Sequence, residues 1–464
     1  MGTNQKSEFQ TNPHNGRRRI MAKLKGRDGA SSVIMCRTPK DFIEKGIPII
    51  VRGEGTRVFD RDGNSYLDLT SGVTRPVHVG YGRKDLAEAA GKQAVELAYF
   101  TPVNFSNERA IELAESLSRF TPGNINNFLF VCDGSEAVES AMKLAKQYHS
   151  WKGDKQRFKV ISRRGAYHGV TALALRAMGT VLTMRHSMEP LTPGSVFVES
   201  PYCYRCPIHL TYPDCDLACA RDVKRIIEFE DPEHISAFIG EPFQQGFGAL
   251  GPPEGYWEVI REICNDYGIL LIADEVICGF GRTGRWFGIE HFGIQPDIMT
   301  MAKGISSGYV PLGAVGCIDE VIDPIGTFEH IHTYANHPVS CAAGLKNIEI
   351  LDQENLIERA AEIGEYFLDQ LKSLEEHPIV GEVRGTGCWL GIDFTTDKKT
   401  RAMFPIEGLG NIVQRALGKG LIIKLMGQAL ELAPPLIIEK SDIDWGIKII
   451  HECVAEEAKD MGLA

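Results

Sequence analysis

Short apolar runs alternate with amphipathic stretches along the middle of the chain, from about residue 81 to residue 335. The stretches between the runs repeat apolar positions at helical spacing, as at 135–149 and 256–267. Strands are predicted at 128–132, 158–162, 237–240, 269–274, 298–302 and 314–317. Their continuous hydrophobicity predicts burial on both faces, and hence an α/β fold with a large, doubly wound, mostly parallel sheet. Such sheets bind ligands at the carboxyl ends of their strands.

The two ends of the chain show different patterns. Between residues 48 and 69, short apolar runs surround turn signals at 53–55 and 60–64, which predicts a small antiparallel meander. After residue 335, predicted helices at 340–351 and 356–374 precede short strands within 380–394 and 421–432. We therefore expect a small α+β domain built from residues 31–80 and 336–464, beside a large domain of residues 81–335.

Residues 1–30 show little periodicity and carry a run of basic residues at 17–27. A polar, cationic segment of this kind predicts a mobile N-terminal arm. The alternative is that its cations contact a phosphorylated substrate or a neighbouring subunit.

Composition is that of an ordinary soluble globular protein, since 43% of the 464 residues are hydrophobic and 24% are charged. The formal net charge of −11 argues against a surface for nucleic acid or for an anionic membrane, so small molecules are the expected partners. No apolar run approaches the roughly 20 residues of a membrane helix. Twelve cysteines, several within apolar runs, and a polar N-terminus predict a cytoplasmic protein with reduced thiols.

Lys303 is the first candidate for chemistry. It follows the apolar run 298–302 and precedes Gly304, so an amine is expected at the end of a buried strand. Burial removes water from a lysine, lowers its pKa and lets the neutral amine attack a carbonyl. The alternative is a solvated surface lysine, which only partner motifs at neighbouring strand ends can exclude.

Two such motifs follow other predicted strands. The run 128–132 leads into Asp133-Gly134-Ser135 at the start of a predicted helix, where unpaired N–H groups can bind a phosphate. The alternative there is an ordinary capped helix. The run 269–273 ends in Asp274, a carboxylate that is expected to be buried and therefore to need a cation. A protonated pyridine nitrogen would serve, and so would an ordinary Arg or Lys.

Asp274-Glu275-Val276, the sequence CGFGRTG at 278–284 and Lys303 together resemble the class III, or omega, aminotransferases. The resemblance extends in order over about residues 40–440. Its further motifs are Asp133-Gly134-Ser135-Glu136-Ala137, Tyr167-His168-Gly169, Glu241-Pro242, TYANHP at 333–338, RGTG at 384–387 and APPL at 433–436. These enzymes have fold type I and use pyridoxal 5′-phosphate, so the resemblance implies that cofactor.

The resemblance also implies roles for individual residues. Lys303 would hold the cofactor as a Schiff base, and Asp274 would pair with its ring nitrogen. Thr333 would reach the phosphate of a neighbouring subunit, which implies a homodimer or a dimer of dimers. Val276 and Tyr167 would pack on the two ring faces. The cofactor-binding residues implied in this way are Gly134, Ser135, Tyr167, His168, Glu241, Asp274, Val276, Lys303 and Thr333.

The expected reaction is transfer of an amino group from an omega- or beta-amino acid, or from a related amine such as taurine or a 3-aminoacyl thioester. The acceptor would be a keto acid, pyruvate or 2-oxoglutarate, in a ping-pong sequence. A decarboxylase, racemase or aminomutase of the same fold would use the same Lys303 and Asp274. A catalytically silent cofactor-binding protein is the alternative from another class, and the presence of Lys303 argues against it.

One departure from the family pattern bears on the substrate. Ornithine- and aminobutyrate-type members carry an arginine just before the Pro-Pro pair, where this chain has Glu431. The nearest cations on lining segments are Arg75 and Lys424, and Lys424 falls near the mobile arginine of amine:pyruvate members. We expect Arg75 to bind the acid group of the donor and Lys424 that of the keto acid. For both, a solvated loop cation is the alternative.

A second departure is a segment with four thiols, Cys203-x2-Cys206-x8-Cys215-x3-Cys219. Two close pairs match the ligand number of a zinc ribbon. The loop between the pairs is short, however, and cytosolic cysteines are often unligated. We therefore expect a thiol cluster that is buried or covered by a subunit, and no metal.

Overall fold

The structure is a computed structural model, which describes residues 35–38 and 47–463; the basic run at 17–27 lies outside the described residues. The chain divides into two compact units. The first comprises Met1–Arg52 and Phe59–Asn64, and in it the Asp60 carboxylate accepts hydrogen bonds from the N–H groups of Asp62 and Asn64, at 3.0 and 2.8 Å. The second comprises Gly53–Val58 and Ser65–Ala464 and contains the elements that build the site.

The strands and helices are numbered in chain order. The strands are β1 (Ile50–Glu54), β2 (Arg57–Asp60), β3 (Ser65–Asp68), β4 (Ile125–Val131), β5 (Lys159–Arg163), β6 (Ser195–Val198), β7 (Ile235–Gly240), β8 (Leu270–Asp274), β9 (Ile298–Met301), β10 (Gly313–Ile318), β11 (Val380–Thr386), β12 (Trp389–Asp397), β13 (Ala402–Met403), β14 (Leu421–Ile422), β15 (Lys424–Met426) and β16 (Ala429–Leu432). The α-helices are α1 (Lys84–Glu96), α2 (Glu108–Ser118), α3 (Gly134–Trp151), α4 (Ala172–Arg176), α5 (Leu182–His186), α6 (Ala218–Phe229), α7 (Tyr256–Tyr267), α8 (Asp319–Ile322), α9 (Pro338–Gln353), α10 (Leu356–Leu371), α11 (Ile406–Gly418) and α12 (Lys440–Asp460).

A seven-stranded sheet forms the centre of the second unit, in the order β4-β10-β9-β8-β7-β5-β6. Strand β10 runs antiparallel to β4 and β9, whereas the neighbouring pairs from β9 to β6 are parallel. Strands β7, β8 and β9 are buried along their whole length, in keeping with their largely apolar sequences, each of which carries one polar residue.

Helices cover this sheet because their apolar faces need burial. Helix α7 begins after Gly255 and ends at Gly268, both in the left-handed region at φ +83° and +60°. It packs Trp257, Ile260 and Ile263 into the core. Helix α3, which begins beside the end of β4, lies against strands β7 to β10.

A second sheet has the order β11-β12-β16-β15, with β13 paired to β12, and helix α10 packs against β11. Strand β14 pairs in parallel with β3, where Leu421 lies opposite Leu67. This pair joins a segment near the start of the chain to one near its end. Within the described residues, no helix has both the length and the apolar character needed to cross a membrane.

The predicted fold class is confirmed, and all six predicted strands are present with ends that differ by at most three residues. The helix predicted at 256–267 is found at those bounds. Two features differ from prediction. The edge strand β6 was missed because it is short and only half-buried, and the predicted antiparallel meander has an added parallel neighbour, β14.

The predicted domain boundaries at residues 30, 80 and 335 stay predictions. Helix α9 begins just after the last of them, yet it packs against α1 and α2. The predicted helix at 356–374 is α10 followed by a 3₁₀ turn at Lys372–Glu376.

Candidate active site

Four parallel strands of the large sheet end at one cavity of about 400 Å³. The residues that follow these strands are Asp133 after β4, Glu241 after β7, Asp274 at the end of β8 and Lys303 after β9. All four line the cavity. Parallel strands carry their last residues to the same edge of a sheet, so residues far apart in sequence meet there.

Lys303 is half-buried in this cavity. The loss of water around its amine lowers its pKa to about 8; Arg75 lowers it as well, and the carboxylates of Asp274 and Glu241 oppose the shift. The backbone of Lys303 lies in the left-handed region, at φ +48°, a conformation that costs a non-glycine residue about 1–3 kcal/mol. A strained, poorly hydrated lysine is suited to nucleophilic attack on a carbonyl carbon, which requires the neutral amine.

Asp274 is 3% exposed and receives hydrogen bonds from three donors. Thr300 Oγ1 and the Val276 N–H donate to Oδ1, at 3.0 and 3.1 Å. Nδ1 of the buried His168 lies 2.6 Å from Oδ2. Donors on both oxygens fit an ionised carboxylate, and Oδ2 keeps a lone pair for a further donor such as a protonated ring nitrogen.

The start of helix α3 also lines the cavity. The Asp133 side chain caps the helix by accepting from the Glu136 N–H at 2.9 Å, while Gly134 and Ser135, which line the cavity, supply N–H groups of the first turn. A Cβ on Gly134 would lie 2.7 Å from Val276 Cγ1, so only glycine fits between the helix and this side chain. A phosphate would meet the positive end of a helix dipole here.

The structure brings the other predicted cofactor residues to the same place, with one exception. Tyr167, His168, Glu241 and Val276 line the cavity with Lys303. Thr333 instead lies on an exposed turn. Its predicted role at the phosphate of another subunit stays a prediction.

Arg75 already forms an ion pair with Glu431. Its Nε donates to Glu431 Oε1 at 2.8 Å, and its Nη2 makes a second bond to Oε2. Trp389 Nε1 donates to the same Oε1 at 2.5 Å. The two charged side chains are 3% and 1% exposed, so each neutralises the other in a poorly hydrated setting. Sequence reasoning named both residues and missed their pairing; the predicted role of Arg75 toward a substrate stays a prediction.

The loop that carries Arg75 is strained. Ser71, Val73 and Arg75 have positive φ angles of +48°, +66° and +71°, which are unusual for residues with side chains and most of all for a β-branched valine. The half-buried Lys424 donates to the Val73 carbonyl at 2.9 Å. Both predicted substrate cations therefore contact this loop or belong to it.

The cysteine segment follows β6 and ends in the first turn of α6, which contains Cys219. Cys203 is exposed, and Cys206, Cys215 and Cys219 are half-buried free thiols. Burial raises the pKa of Cys219 to about 11, which makes its thiolate scarce at neutral pH. In the described part of the chain, no group of three or more His, Cys, Asp or Glu is arranged to hold a metal ion.

The first prediction concerns Lys303. Lys303→Ala should still take up pyridoxal phosphate through Gly134, Ser135 and Asp274, yet lose the absorbance of protein-linked cofactor and nearly all turnover. In the wild-type chain, cofactor capture should accelerate as the pH rises through about 8, because only the neutral amine reacts. Borohydride reduction and mass spectrometry should map the adduct to Lys303, and Lys424→Ala should retain it. An adduct on any other lysine would remove the assignment.

The second prediction concerns Asp274. Asp274→Asn keeps the side-chain volume and removes the charge, so a ring nitrogen there would lose its counter-ion. We expect kcat/KM to fall by a factor that corresponds to a loss of transition-state stabilisation on the order of 3 kcal/mol. The loss of cofactor affinity should be smaller. The matched control is Thr300→Val, which removes one hydrogen bond to Asp274 and keeps the charge, with an expected effect of about 1 kcal/mol. Unchanged turnover in Asp274→Asn would contradict the assignment.

Comparison with known proteins identifies the family. The family model described as Aminotransferase class-III matches residues 44–454. The putrescine–pyruvate aminotransferase of Pseudomonas aeruginosa is 37% identical, over 90% of this chain and 93% of that protein. The taurine–pyruvate aminotransferase of Bilophila wadsworthia is 39% identical, over 89% and 94%. The omega-transaminase of Pseudomonas jessenii, solved in complex with PMP, superposes with a TM-score of 0.89 and 32% identity, over 93% of this chain and 98% of that one. The chain therefore belongs to the class III aminotransferases, which are pyridoxal-phosphate-dependent enzymes.

Proposed function

We propose that this aminotransferase moves the amino group of an omega- or beta-amino acid, or of a related amine such as taurine or a 3-aminoacyl thioester, to pyruvate or 2-oxoglutarate. The observation that supports it most is the Lys303 amine, with its pKa lowered to about 8, in one cavity with Asp274 and the start of helix α3. Two relatives are named for amines with a second charged group, an ammonium in putrescine and a sulfonate in taurine.

The cavity residues have complementary proposed tasks. Gly134 and Ser135 bind the cofactor phosphate, Asp274 holds the ring nitrogen, and Val276 and Tyr167 cover the ring faces. When bound, pyridoxal phosphate supplies an electron sink for the bond that breaks at the substrate carbon. The full proposed set is Gly134, Ser135, Tyr167, His168, Glu241, Asp274, Val276, Lys303 and Thr333.

Lys303 then acts as the base. With cofactor and donor bound, its free Nζ would take a proton from the substrate carbon and pass that proton on. An amine with a pKa near 8 can do both near neutral pH, because neither its neutral nor its protonated form is scarce. The return reaction with a keto acid completes a ping-pong cycle.

The acid groups of substrates need cations, since an unpaired carboxylate or sulfonate in a poorly hydrated site is strongly disfavoured. We propose Arg75 for the acid group of the donor and Lys424 for that of the keto acid. Arg75 binds Glu431 through Nε and Nη2, so it must leave Glu431 in order to bind an anion through that pair of nitrogens. The buried Glu431 therefore weakens the binding of acidic substrates by competing for Arg75. Alternatively, it binds the distal ammonium group of a substrate that has one.

A homodimer, or a dimer of dimers, is the proposed assembly. Thr333 is exposed in the single chain and lies next to Tyr334, an aromatic residue that is 58% exposed. Val95, Phe100 and Phe105 are also exposed, by 91%, 48% and 60%. Exposed large apolar side chains of this kind support the proposal of a subunit interface. We further propose a cytoplasmic location, because all twelve cysteines are free thiols.

The third prediction is a half-reaction screen. Each candidate amine is added to the cofactor-loaded enzyme without a keto acid, and conversion of pyridoxal to pyridoxamine phosphate is followed by absorbance. Beta-alanine, taurine, 4-aminobutyrate, 3-aminobutyrate and its thioester, alanine and putrescine form the panel. We expect complete conversion with at least one omega- or beta-amine. A return to the pyridoxal form without any keto acid would instead favour a decarboxylase, racemase or aminomutase.

The fourth prediction separates Arg75 from Glu431. Arg75→Gln should lower kcat/KM for the best acidic donor by a factor equivalent to roughly 2 to 4 kcal/mol, because the acid group of the donor loses its buried cationic partner. The kcat/KM of the neutral analogue should not change. Glu431→Gln should raise kcat/KM for the same acidic donor, because Arg75 no longer has to leave a counter-ion. Thermal unfolding of the double Arg75→Gln/Glu431→Gln variant controls for lost stability. Equal losses for acidic and neutral donors would mean that Arg75 only supports its loop.

A further inference from the structure

Two buried polar atoms on residues that line the cavity have no hydrogen-bond partner within the described chain. They are Glu241 Oε2 and His168 Nε2, on side chains that are 3% and 2% exposed. The other atoms of these groups are occupied, since Glu241 Oε1 accepts from the Gln245 N–H at 3.1 Å and His168 Nδ1 faces Asp274. Buried polar atoms are rarely left unpaired in proteins, so both atoms call for a partner.

The tautomer of His168 decides what that partner is. An ionised Asp274 can only accept, so His168 Nδ1 must carry a hydrogen. A neutral His168 then has a bare lone pair on Nε2, whereas a cationic His168 has an N–H there. A protonated Glu241 matches the first form, and an ionised Glu241 matches the second. In both arrangements a water molecule that contacts Oε2 and Nε2 would satisfy both atoms, and the pair would hold one proton.

The charges that surround Glu241 keep both arrangements accessible. Burial raises the pKa of Glu241 to about 7; His168 and Arg163 oppose this shift and Asp274 adds to it. The Arg163 guanidinium donates to the Glu241 carbonyl and lies 5.2 Å from the Trp257 ring centre. Lys303 lines the same cavity, and the charge of Glu241 acts on its amine.

We propose that Glu241 and His168 share a single proton through one bridging water molecule, and form with Asp274 a relay at the wall of the proposed cofactor cavity. Glu241 Oε2 gives a proton to the water as the water gives one to His168 Nε2, which leaves a carboxylate, an imidazolium and an unchanged water molecule. The three groups together carry one negative charge in both forms. An imidazolium draws charge from Asp274, and a neutral imidazole leaves it in place, so the relay adjusts the counter-charge of the ring nitrogen. Glu241 is thus a positioning residue that acts through His168.

A double-mutant cycle, with cofactor binding as the readout, tests whether Glu241 and His168 share a proton. The dissociation constant of pyridoxal phosphate is measured for the full chain, stripped of cofactor, as wild type, Glu241→Gln, His168→Gln and the double variant. Independent positions combine within about twofold. We expect the double variant to depart from additivity by at least about fivefold, because either single change already destroys the shared proton. Additive effects would overturn the proposal.

The matched control is Glu275→Gln. Glu275 is also buried and its pKa is also raised, to about 8, yet its oxygens accept from the N–H groups of Gly288 and Ile289 at 2.9 and 2.7 Å. Its cycle with His168→Gln should therefore be additive. Coupling of equal size in this control would mean that the cycle reports general destabilisation, and it would overturn the assignment to Glu241.

Nitrogen-15 NMR of histidine-labelled protein gives a second readout, which a packing role would not move. The His168 signal is identified as the one that disappears in His168→Gln. Its Nε2 chemical shift should indicate partial protonation and should stay constant from about pH 6 to about pH 8. Glu241→Gln should convert it to a single titration, and Glu241→Asp should restore the constant region. A signal that is identical in Glu241→Gln and wild type would contradict the relay. The inference rests on the proposed role of Asp274, but neither readout uses turnover, so its failure is distinguishable from a failed amine screen.

Discussion

The need to keep one negative charge in a place with little water governs the centre of this molecule. Asp274 ends a fully buried strand, and a carboxylate there is stable only with donors on its oxygens. Those donors come from three separate segments, Thr300 on β9, the Val276 N–H after β8 and His168 after β5. The sheet order that places β8 beside β9 is therefore what makes the charge tolerable.

The same edge of the sheet carries backbone conformations that a free chain avoids. Lys303 has a positive φ, and the loop with Ser71, Val73 and Arg75 has three more. Such conformations persist only where packing determines them, and they collect at functional sites. Close contacts supply that packing, since a Cβ on Gly304 would lie 2.4 Å from the His78 ring, and Lys424 holds the Val73 carbonyl. The favourable packing of the buried sheet thus offsets the free-energy cost of the positive φ angles at its edge.

Much of the fold could be predicted because a buried strand requires a run of apolar residues, which is visible in the local sequence. Continuous apolar runs located β7, β8 and β9, and polar residues at the ends of β8 and β9 located Asp274 and Lys303, whereas Glu241 was implied only by the family resemblance. What could not be predicted depends on contacts between distant segments. His168 and Asp274 are 106 residues apart, and Arg75 and Glu431 are 356 apart, so no local spacing signals either pair. The short edge strand β6 and the parallel β3–β14 pair lack a local signal for the same reason.

The Arg75–Glu431 pair connects substrate choice to the chemistry of Lys303. Arg75 lowers the pKa of the lysine and Glu431 raises it, so the two partly cancel while they are paired. A substrate anion that draws Arg75 away from Glu431 supplies its own negative charge in exchange, and the field at the amine changes little. An uncharged amine leaves the pair closed, with the same result. With the proposed roles of Arg75 and Lys303, the pKa of the lysine would depend little on the charge of the substrate, and one base could serve donors and acceptors that differ in their acid groups.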